Sequence, residues 1–298
     1  MKSLICNLQQ NGISTVENCS LRQHSTFRIG GEARVALFPK TREELLLSLE
    51  AVTDARIPML VIGKGSNVVF SDEGYDGAVI FTGAYREIHK NETRLHVSAG
   101  VPLSILATYA AENALGGLEF AYGIPGTLGG AVFMNAGAFE GCMSQICVAS
   151  EYFDLESKAV KRLSGERQEF GSRTSFYQAH PEAVILGAEL ELVPASQEAI
   201  KQTMEGFAAR RKAMQPLEYP SAGSVFKRPV GHYAGKLIED CGLKGYAVGG
   251  AEVSEKHAGF IINRGNATAK DVKELTKEIK ERVAERFGVV LECEIRFL

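Results

Sequence analysis

The sequence predicts an α+β protein, in which helices are combined with antiparallel or mixed sheets. Short strand-like runs bounded by turn residues recur along the chain, for example Val184–Leu192. Helical periodicity follows Thr41 and again Thr268, and both threonines begin a capping-box pattern. The run Met59–Ile62 leads through glycines into a second apolar run and not into a helix, an order that excludes a Rossmann or P-loop motif.

Composition limits the class of protein. The chain has 298 residues, enough for two or three domains, and its 45% hydrophobic and 23% charged content is that of a globular protein. The net charge of −3 gives no support to a nucleic-acid partner. The six cysteines and six histidines are scattered, so we expect neither a disulfide scaffold nor a metal site. Since the N-terminus has no signal-peptide pattern, we expect a cytoplasmic protein.

Prolines and glycines separate the elements predicted in the first half of the chain. We expect a short helix or turn near the N-terminus, a helix after the capping box Thr41–Glu44, and a helix from Val101 to about Asn113. The expected strands are Arg34–Phe38, Met59–Ile62, Val68–Phe70, Ala78–Phe81 and Leu95–Ser98.

The second half should begin with an antiparallel or mixed sheet and end with a long helix and a strand. The expected elements are strands Val148–Leu155, Ala159–Leu163 and Val184–Leu192, a helix from Ser196 to near Met214, a polar turn Ser221–Pro229, a short helix Gly235–Cys241, strands Val248–Ser254 and Gly259–Asn263, and a helix from Thr268 to Gly288. In the last strand, residues 291, 293, 295 and 297 are apolar and share one face.

The stretch Gly117–Gly137 is the most unusual part of the sequence. No formal charge lies between Glu119 and Glu140, but the glycines and the proline at positions 123–130 would break a membrane helix. Bare amides that open onto a helix-compatible run after Gly130 would suit a phosphate group. The alternative is a buried glycine-rich turn without a ligand.

A glycine loop earlier in the chain, Gly63-Lys-Gly-Ser-Asn67 (the first glycine loop), makes a ligand more plausible for the loop within Gly117–Gly137 (the second glycine loop). The first glycine loop would present several amides together with the side chains of Ser66 and Asn67 in a single turn. A hairpin turn with a solvated Lys64 is the alternative explanation. Two such loops in one chain favour a ligand with phosphate groups.

Four motifs occur in order along the chain: Gly63–Asn67, Gly123–Gly130 with Asn135–Gly137, Ser221–Lys227, and Leu291–Arg296. Together they closely resemble the UDP-N-acetylenolpyruvoylglucosamine reductases, flavoproteins of bacterial cell-wall precursor synthesis, from about Thr26 to Arg296. The resemblance implies a two-lobed FAD-binding domain of the vanillyl-alcohol-oxidase type (lobes 1–82 and 83–214) and a C-terminal α+β substrate-binding domain (215–298). The length of the chain is typical of the compact subclass, which lacks an extra substrate-covering loop.

The resemblance also implies that the two glycine loops hold the pyrophosphate and ribityl chain of FAD, and that NADPH reduces the flavin. The cofactor-binding residues implied are Gly63, Lys64, Gly65, Ser66, Asn67, Gly123, Ile124, Pro125, Gly126, Thr127, Gly129, Gly130, Asn135, Ala136 and Gly137.

Three residues match the catalytic positions of this family. Arg173 would hold the substrate carboxylate as negative charge develops, and Ser224 would deliver a proton to the α-carbon. Glu294 would stabilise the enolate if protonated, or orient a partner if ionised. Without the family, the three are a surface arginine, a turn serine and a solvent-facing strand charge.

The resemblance further implies that Lys227, Lys236 and Glu239 contact the UDP-sugar enolpyruvyl ether, whereas His257 is expected to be structural. Two departures stand out: Ser172 replaces the family's usual tyrosine, and Arg228 replaces an asparagine found in some members. We expect a monomer without a nucleic-acid or membrane partner.

Two other functions compete with this interpretation. A different FAD-dependent alcohol or hydroxy-acid oxidoreductase of the same fold would not need the Ser224 and Glu294 pair. A non-enzymatic module could bind a phosphorylated ligand through the same loops without binding flavin.

Overall fold

The computed structural model describes residues 1–298 and contains eight α-helices. The helices are α1 (Lys2–Gln10), α2 (Arg42–Asp54), α3 (Leu103–Glu112), α4 (Leu128–Phe133), α5 (Phe176–Ala179), α6 (Gln197–Met214), α7 (Ala234–Asp240) and α8 (Ala269–Phe287). None of these helices is long and apolar enough to cross a bilayer.

Nineteen strands, many of them very short, complete the fold. They are β1 (Ser14–Ser20), β2 (Glu32–Phe38), β3 (Met59–Ile62), β4 (Val68–Val69), β5 (Tyr75–Phe81), β6 (Ile88–Asn91), β7 (Arg94–Ser98), β8 (Leu115–Gly116), β9 (Gly137–Ala138), β10 (Gly141–Cys142), β11 (Cys147–Asp154), β12 (Ala159–Ser164), β13 (Ala183–Glu191), β14 (Val193–Pro194), β15 (Ser221–Ser224), β16 (Ala247–Val248), β17 (Ala251–Val253), β18 (Phe260–Asn263) and β19 (Arg296–Phe297).

The chain divides into two compact units. Unit 1 comprises Met1–Asn18, Arg34–Lys64 and Asp76–Ala209, and unit 2 comprises Cys19–Ala33, Gly65–Tyr75 and Arg210–Leu298. The three-part division that the sequence suggests, with boundaries after residues 82 and 214, stays a prediction.

Unit 1 contains a five-stranded antiparallel sheet in the order β12-β11-β13-β7-β6 and most of a four-stranded sheet in the order β1-β2-β5-β3. Unit 1 has two apolar cores, and the second contains residues of both sheets, for example Val184 and Ile80. Helices α3 and α4 pack in one core with Leu95, Leu190 and Leu128. Helices α1 and α2 contribute to the other, where Leu45 and Leu49 of α2 are fully buried. The helix that the sequence predicts after Thr41 is confirmed.

Unit 2 is built on the antiparallel sheet β15-β18-β17-β16 and on helix α8. Helix α8 begins with a complete capping box between Thr268 and Asp271 and ends at Gly288, which has a φ of +67°. Its buried stripe includes Val272 and Ile279, both fully inside the core. Burial of each such side chain contributes roughly 1.5–3 kcal/mol to folding. These signals in the sequence predicted α8 correctly.

Several predicted elements were wrong in detail. The expected capping box at Thr41 is half formed, because the Glu44 carboxylate accepts the N–H of Lys40 at 2.7 Å, and not that of Thr41. The expected strand 248–254 is a hairpin, β16–β17, since Gly249 turns the chain with a φ of +55°. Residues 221–224 of the expected polar turn form strand β15. The last segment is a regular strand only at 296–297.

Candidate active site

The second glycine loop leads into helix α4 through backbone bonds to the segment that follows β7. The N–H of Leu128 donates to the Val101 carbonyl and the N–H of Gly129 to the Ala99 carbonyl, each at 2.9 Å. A Cβ on Gly129 would lie 2.9 Å from the Ala99 Cβ, so the close packing requires glycine. The expectation of bare amides at this helix start was therefore wrong for these two groups.

Thr127 and Gly63 bring the two glycine loops together. The Thr127 hydroxyl is buried, with the residue 3% exposed, and it has no hydrogen-bond partner. It does not cap helix α4. A Cβ on Gly63 would lie 2.1 Å from this oxygen. An unsatisfied buried hydroxyl costs about 1–3 kcal/mol, and this cost is removed when a bound group supplies the partner. The loops therefore fit a cofactor with polar atoms, as the sequence suggests for FAD.

The first glycine loop is not a hairpin turn. Strand β3 before it pairs in parallel with β5, whereas strand β4 after it pairs in parallel with β19. Gly65 has a φ of +63°, and a Cβ there would lie 2.3 Å from the His24 carbonyl oxygen. The Gly65 carbonyl accepts the N–H of Thr26 at 3.2 Å. The hydroxyl of Thr26 donates to the Ser221 carbonyl at 2.8 Å, so one threonine ties this loop to strand β15.

Asn67, an expected cofactor contact, has its side-chain amide engaged inside the protein. Its Nδ2 donates to the Glu294 carbonyl at 3.1 Å, and its own carbonyl accepts the N–H of Arg296 at 3.0 Å. The glycine loop is thereby joined to the chain segment that carries Glu294. Lys64 of the same loop is exposed.

The structure brings Ser224 and Glu294 together within unit 2. The N–H of Glu294 donates to the Val225 carbonyl at 2.7 Å, next in the chain to Ser224. Ser224 is exposed at the end of edge strand β15. Gly223, with a φ of +79°, precedes it, and the pairing register of β15 with β18 shifts between Ser221 and Ser224. Despite this irregular backbone, Ser221 and Ser224 pair with Ile262 and Phe260 of β18, and Ser224 stays exposed.

Arg173 lies in unit 1, in a tight turn formed by residues 171–174. Its φ is +58°, a left-handed conformation that costs about 1–2 kcal/mol for a residue with a side chain. One guanidinium nitrogen, Nη1, donates to the Gly137 carbonyl at 3.0 Å. The structure therefore connects this expected catalytic residue to the end of the second glycine loop.

The three expected substrate residues are all paired with neighbours of opposite charge. Lys227 lies 3.2 Å from Glu292, and Lys236 lies 2.6 Å from Asp240. The hydrogen bond to Asp240 raises the pKa of Lys236, and the bond from Lys244 lowers the pKa of Glu239. These are exposed pairs, which are weak, so an anionic ligand could replace the carboxylate partners of the lysines.

His257 has a structural contact, as the sequence suggests. Its Nδ1 accepts the N–H of Gly259 at 3.1 Å, and burial lowers the pKa of the imidazole. Arg228 lies over the ring of Tyr233, with its guanidinium carbon 4.0 Å from the ring centroid. Ser172 is exposed in the turn that carries Arg173. No group of three or more His, Cys, Asp or Glu side chains is arranged to hold a metal ion.

Two parts of the chain match the sequence models of known protein families. Residues 215–298 match the C-terminal domain of UDP-N-acetylenolpyruvoylglucosamine reductase, and residues 33–161 match the FAD binding domain. A UDP-N-acetylenolpyruvoylglucosamine reductase from Caldanaerobacter subterraneus subsp. tengcongensis is 45% identical, with 94% of this chain and 92% of the relative covered. The same enzyme from Clostridioides difficile is 44% identical, with 93% and 91% covered.

Solved structures show the same similarity. UDP-N-acetylenolpyruvylglucosamine reductase from Thermus caldophilus is 36% identical and superimposes with a TM-score of 0.79 over 96% of this chain and 98% of that chain. The BBE-like 1 protein of Physcomitrella patens is 13% identical, with a TM-score of 0.50 over 64% of this chain and 44% of its own, and shows the fold alone. The expected fold class, a vanillyl-alcohol-oxidase-type FAD-binding region with a C-terminal α+β domain, is confirmed.

Proposed function

Because the chain belongs to the UDP-N-acetylenolpyruvoylglucosamine reductase family, we propose that it reduces the enolpyruvyl ether of UDP-N-acetylglucosamine to UDP-N-acetylmuramate with NADPH. Family membership confirms the expectation of an FAD-dependent oxidoreductase of peptidoglycan precursor synthesis. When bound, FAD supplies the hydride chemistry, from NADPH to the β-carbon of the enolpyruvyl group.

The residues of the two glycine loops would hold FAD. Their contact at Gly63 and Thr127 supports this part of the proposal, because the buried Thr127 hydroxyl lacks a partner that a polar cofactor can supply. Small residues at the contact let the backbone approach the cofactor closely.

The observation that carries the catalytic proposal is the bond between the Glu294 N–H and the Val225 carbonyl, which keeps Glu294 beside Ser224. Hydride addition at the β-carbon leaves negative charge on the α-carbon and its carboxylate. The Ser224 hydroxyl would protonate the α-carbon: a serine is a weak acid, but a carbanion is a strong base. The Glu294 carboxyl would stabilise the developing enolate if protonated and would orient a partner if ionised, while Arg173 would hold the substrate carboxylate.

Lys227 and Lys236 would bind the UDP part of the substrate. Both are cations held next to carboxylates in unit 2, and a diphosphate can take the place of Glu292 and Asp240 as their partner. Glu239 would contact a sugar hydroxyl or stay paired with Lys244.

Anaerobic stopped-flow absorbance of the FAD-loaded protein tests this proposal. NADPH should bleach the flavin, and UDP-N-acetylglucosamine enolpyruvate should then restore its colour. In the Ser224→Ala variant the first step should keep its rate and the second should slow by about a hundredfold or more, the usual size of a lost general acid. Ser164→Ala, an exposed serine on strand β12, is the matched control and should behave as wild type.

Two results would contradict the proposal. A bleached flavin that recolours only with oxygen would favour the alcohol or hydroxy-acid oxidoreductase. Recolouring by the enolpyruvyl sugar at the wild-type rate in the Ser224→Ala variant would remove Ser224 from the mechanism and leave the overall reaction in place.

A further inference from the structure

The turn that carries Arg173 is held at several points by one neighbouring segment, residues 133–137. The turn itself is closed by the N–H of Gly171, which donates to the Thr174 carbonyl at 3.0 Å. Arg173 occupies its left-handed position, with a φ of +58°. Such a conformation persists only where surrounding contacts impose it.

Asn135 provides the first of these contacts. Its Nδ2 donates to the Gly171 carbonyl at 2.9 Å, and its Oδ1 accepts the N–H of Ser144 at 2.8 Å. The residue is buried, 8% exposed, and has a φ of +41°, which asparagine tolerates better than most residues. Its side chain therefore links the second glycine loop to the turn that carries Arg173, and both the nitrogen and the oxygen of the amide are hydrogen-bonded.

Gln178 provides the second contact, at the carbonyl of Arg173 itself. Its Nε2 donates to the Arg173 carbonyl at 2.9 Å and to the Phe133 carbonyl at 3.1 Å. The Ser175 hydroxyl also donates to the Phe133 carbonyl, at 2.7 Å. The backbone on each side of Arg173 is thus fixed to the same segment whose Gly137 carbonyl accepts the arginine guanidinium.

We infer that Asn135 and Gln178 are positioning residues for Arg173. They fix the backbone of turn 171–174 so that the guanidinium faces the end of the second glycine loop. This inference rests on the proposed function, in which Arg173 holds the substrate carboxylate. It also gives the Asn135 side chain a role distinct from the cofactor contact that the sequence suggests for this residue.

The test uses two variants. Asn135→Asp keeps an acceptor for the Ser144 N–H but places a carboxylate oxygen against the Gly171 carbonyl. Gln178→Leu removes the donor to Arg173 at an exposed position, so it keeps the test informative if the first variant fails to fold. In each variant, recolouring of the reduced flavin by the enolpyruvyl sugar should slow by about fivefold to tenfold, the effect of one lost hydrogen bond. In the Gln178→Leu variant, flavin content and the rate of bleaching by NADPH should not change.

A double-variant comparison separates positioning from a general structural effect. In an Arg173→Lys background, Asn135→Asp should cause no further slowing, because the residue acts through the arginine. The guanidinium NMR signal of Arg173, assigned by its loss in Arg173→Lys, should move toward the position of mobile arginines in Asn135→Asp. This readout does not depend on turnover.

Two matched controls make the same types of substitution at other positions in unit 1. Asn113→Asp removes an amide donor to the Tyr109 carbonyl, and Gln197→Leu removes one to the Glu112 carbonyl. Both should recolour at the wild-type rate.

The inference is overturned if Asn135→Asp and Arg173→Lys slow recolouring additively, if the Arg173 signal is unmoved, or if Gln178→Leu loses flavin. Failure of the proposed function is distinguishable, since the wild-type protein would then not recolour with the enolpyruvyl sugar.

Discussion

A methyl group on Gly63 would lie 2.1 Å from the hydroxyl oxygen of Thr127. These residues are 64 positions apart in the chain, and their contact joins the start of the first glycine loop to the residue before helix α4 in the second. No side chain fits at position 63 unless Thr127 moves. If the two loops hold FAD as proposed, substitutions at either residue should weaken FAD binding before they affect the fold.

The first prediction concerns Gly63→Ala. The added methyl group should displace Thr127 and weaken FAD binding at least about tenfold, equal to about 1.4 kcal/mol, within the cost of overpacking a filled site. Titration of the apoprotein with FAD, followed by flavin fluorescence, measures this change. An unchanged dissociation constant would mean that the loops do not hold the cofactor.

Gly206→Ala serves as the matched control. Gly206 lies in the interior of helix α6, and a Cβ there meets no atom within 4 Å. The substitution should leave FAD affinity unchanged and stabilise the protein by about 0.5–1 kcal/mol, because alanine has the higher helix propensity. Urea unfolding checks the second effect, and a loss of stability would be inconsistent with an unstrained helical site.

Thr127→Val separates the stability of the apoprotein from cofactor binding. Because the buried hydroxyl has no partner, its replacement by a methyl group of similar size should stabilise the apoprotein by about 1 kcal/mol or more. The same change should weaken FAD binding if the cofactor provides the missing partner. Thermal unfolding with and without FAD measures both effects, and a variant that is less stable without FAD would contradict this account.

A third prediction concerns Thr26, whose hydroxyl donates to the Ser221 carbonyl. Thr26→Val keeps the shape and the backbone bond to Gly65 but removes this donor, so the free energy of unfolding should fall by about 1 kcal/mol. Thr203→Val, which removes an exposed hydroxyl donor on α6, should have a smaller effect. Equal losses of unfolding free energy in urea would show that the bond from Thr26 to Ser221 contributes no more to stability than an exposed hydroxyl donor does.

Much of the fold could be predicted from the sequence, because its signals are local. Helix α8 is defined by a capping box, a buried stripe and Gly288, all of which can be recognised in a single window of sequence. The hairpin at Gly249 was missed, since an apolar run interrupted by two glycines also fits one continuous strand. The partners of β4 could not be inferred, because its pairing with β19 joins segments more than 200 residues apart.

The site was harder to predict from residues alone. The glycine loops indicated a phosphate ligand by composition, but Arg173, Ser224 and Glu294 stood out only through the family resemblance. Gln178 has no sequence signal, since its importance depends on a fold that places it against the Arg173 carbonyl. The roles of these residues in catalysis stay predictions.

The last prediction is a pH dependence of stability that comes from His257. Burial lowers its pKa from the ordinary value of 6.5, so the unfolded chain binds a proton more readily than the folded protein does. Its contribution to stability is complete above pH 6.5 and is lost as the pH falls from 6.5 through the lower folded pKa. Protonation of Nδ1 would also break the bond from Gly259.

His257→Asn provides the comparison for this prediction, because it keeps an acceptor near Nδ1 without the titration. Urea unfolding is measured at pH 7.5 and pH 5.5, about one unit either side of the ordinary histidine pKa. Between these two pH values, the variant should lose less free energy of unfolding than the wild type does. Equal losses would exclude His257 as a source of the pH dependence.

The central claim, that this chain reduces an enolpyruvyl ether, is tested most directly by mass spectrometry of an anaerobic reaction. The FAD-loaded protein is mixed with NADPH and UDP-N-acetylglucosamine enolpyruvate. The account predicts a product heavier than the substrate by two hydrogens, formed in equal amount to the NADPH consumed. Unchanged enolpyruvyl sugar after full reduction of the flavin by NADPH would contradict it.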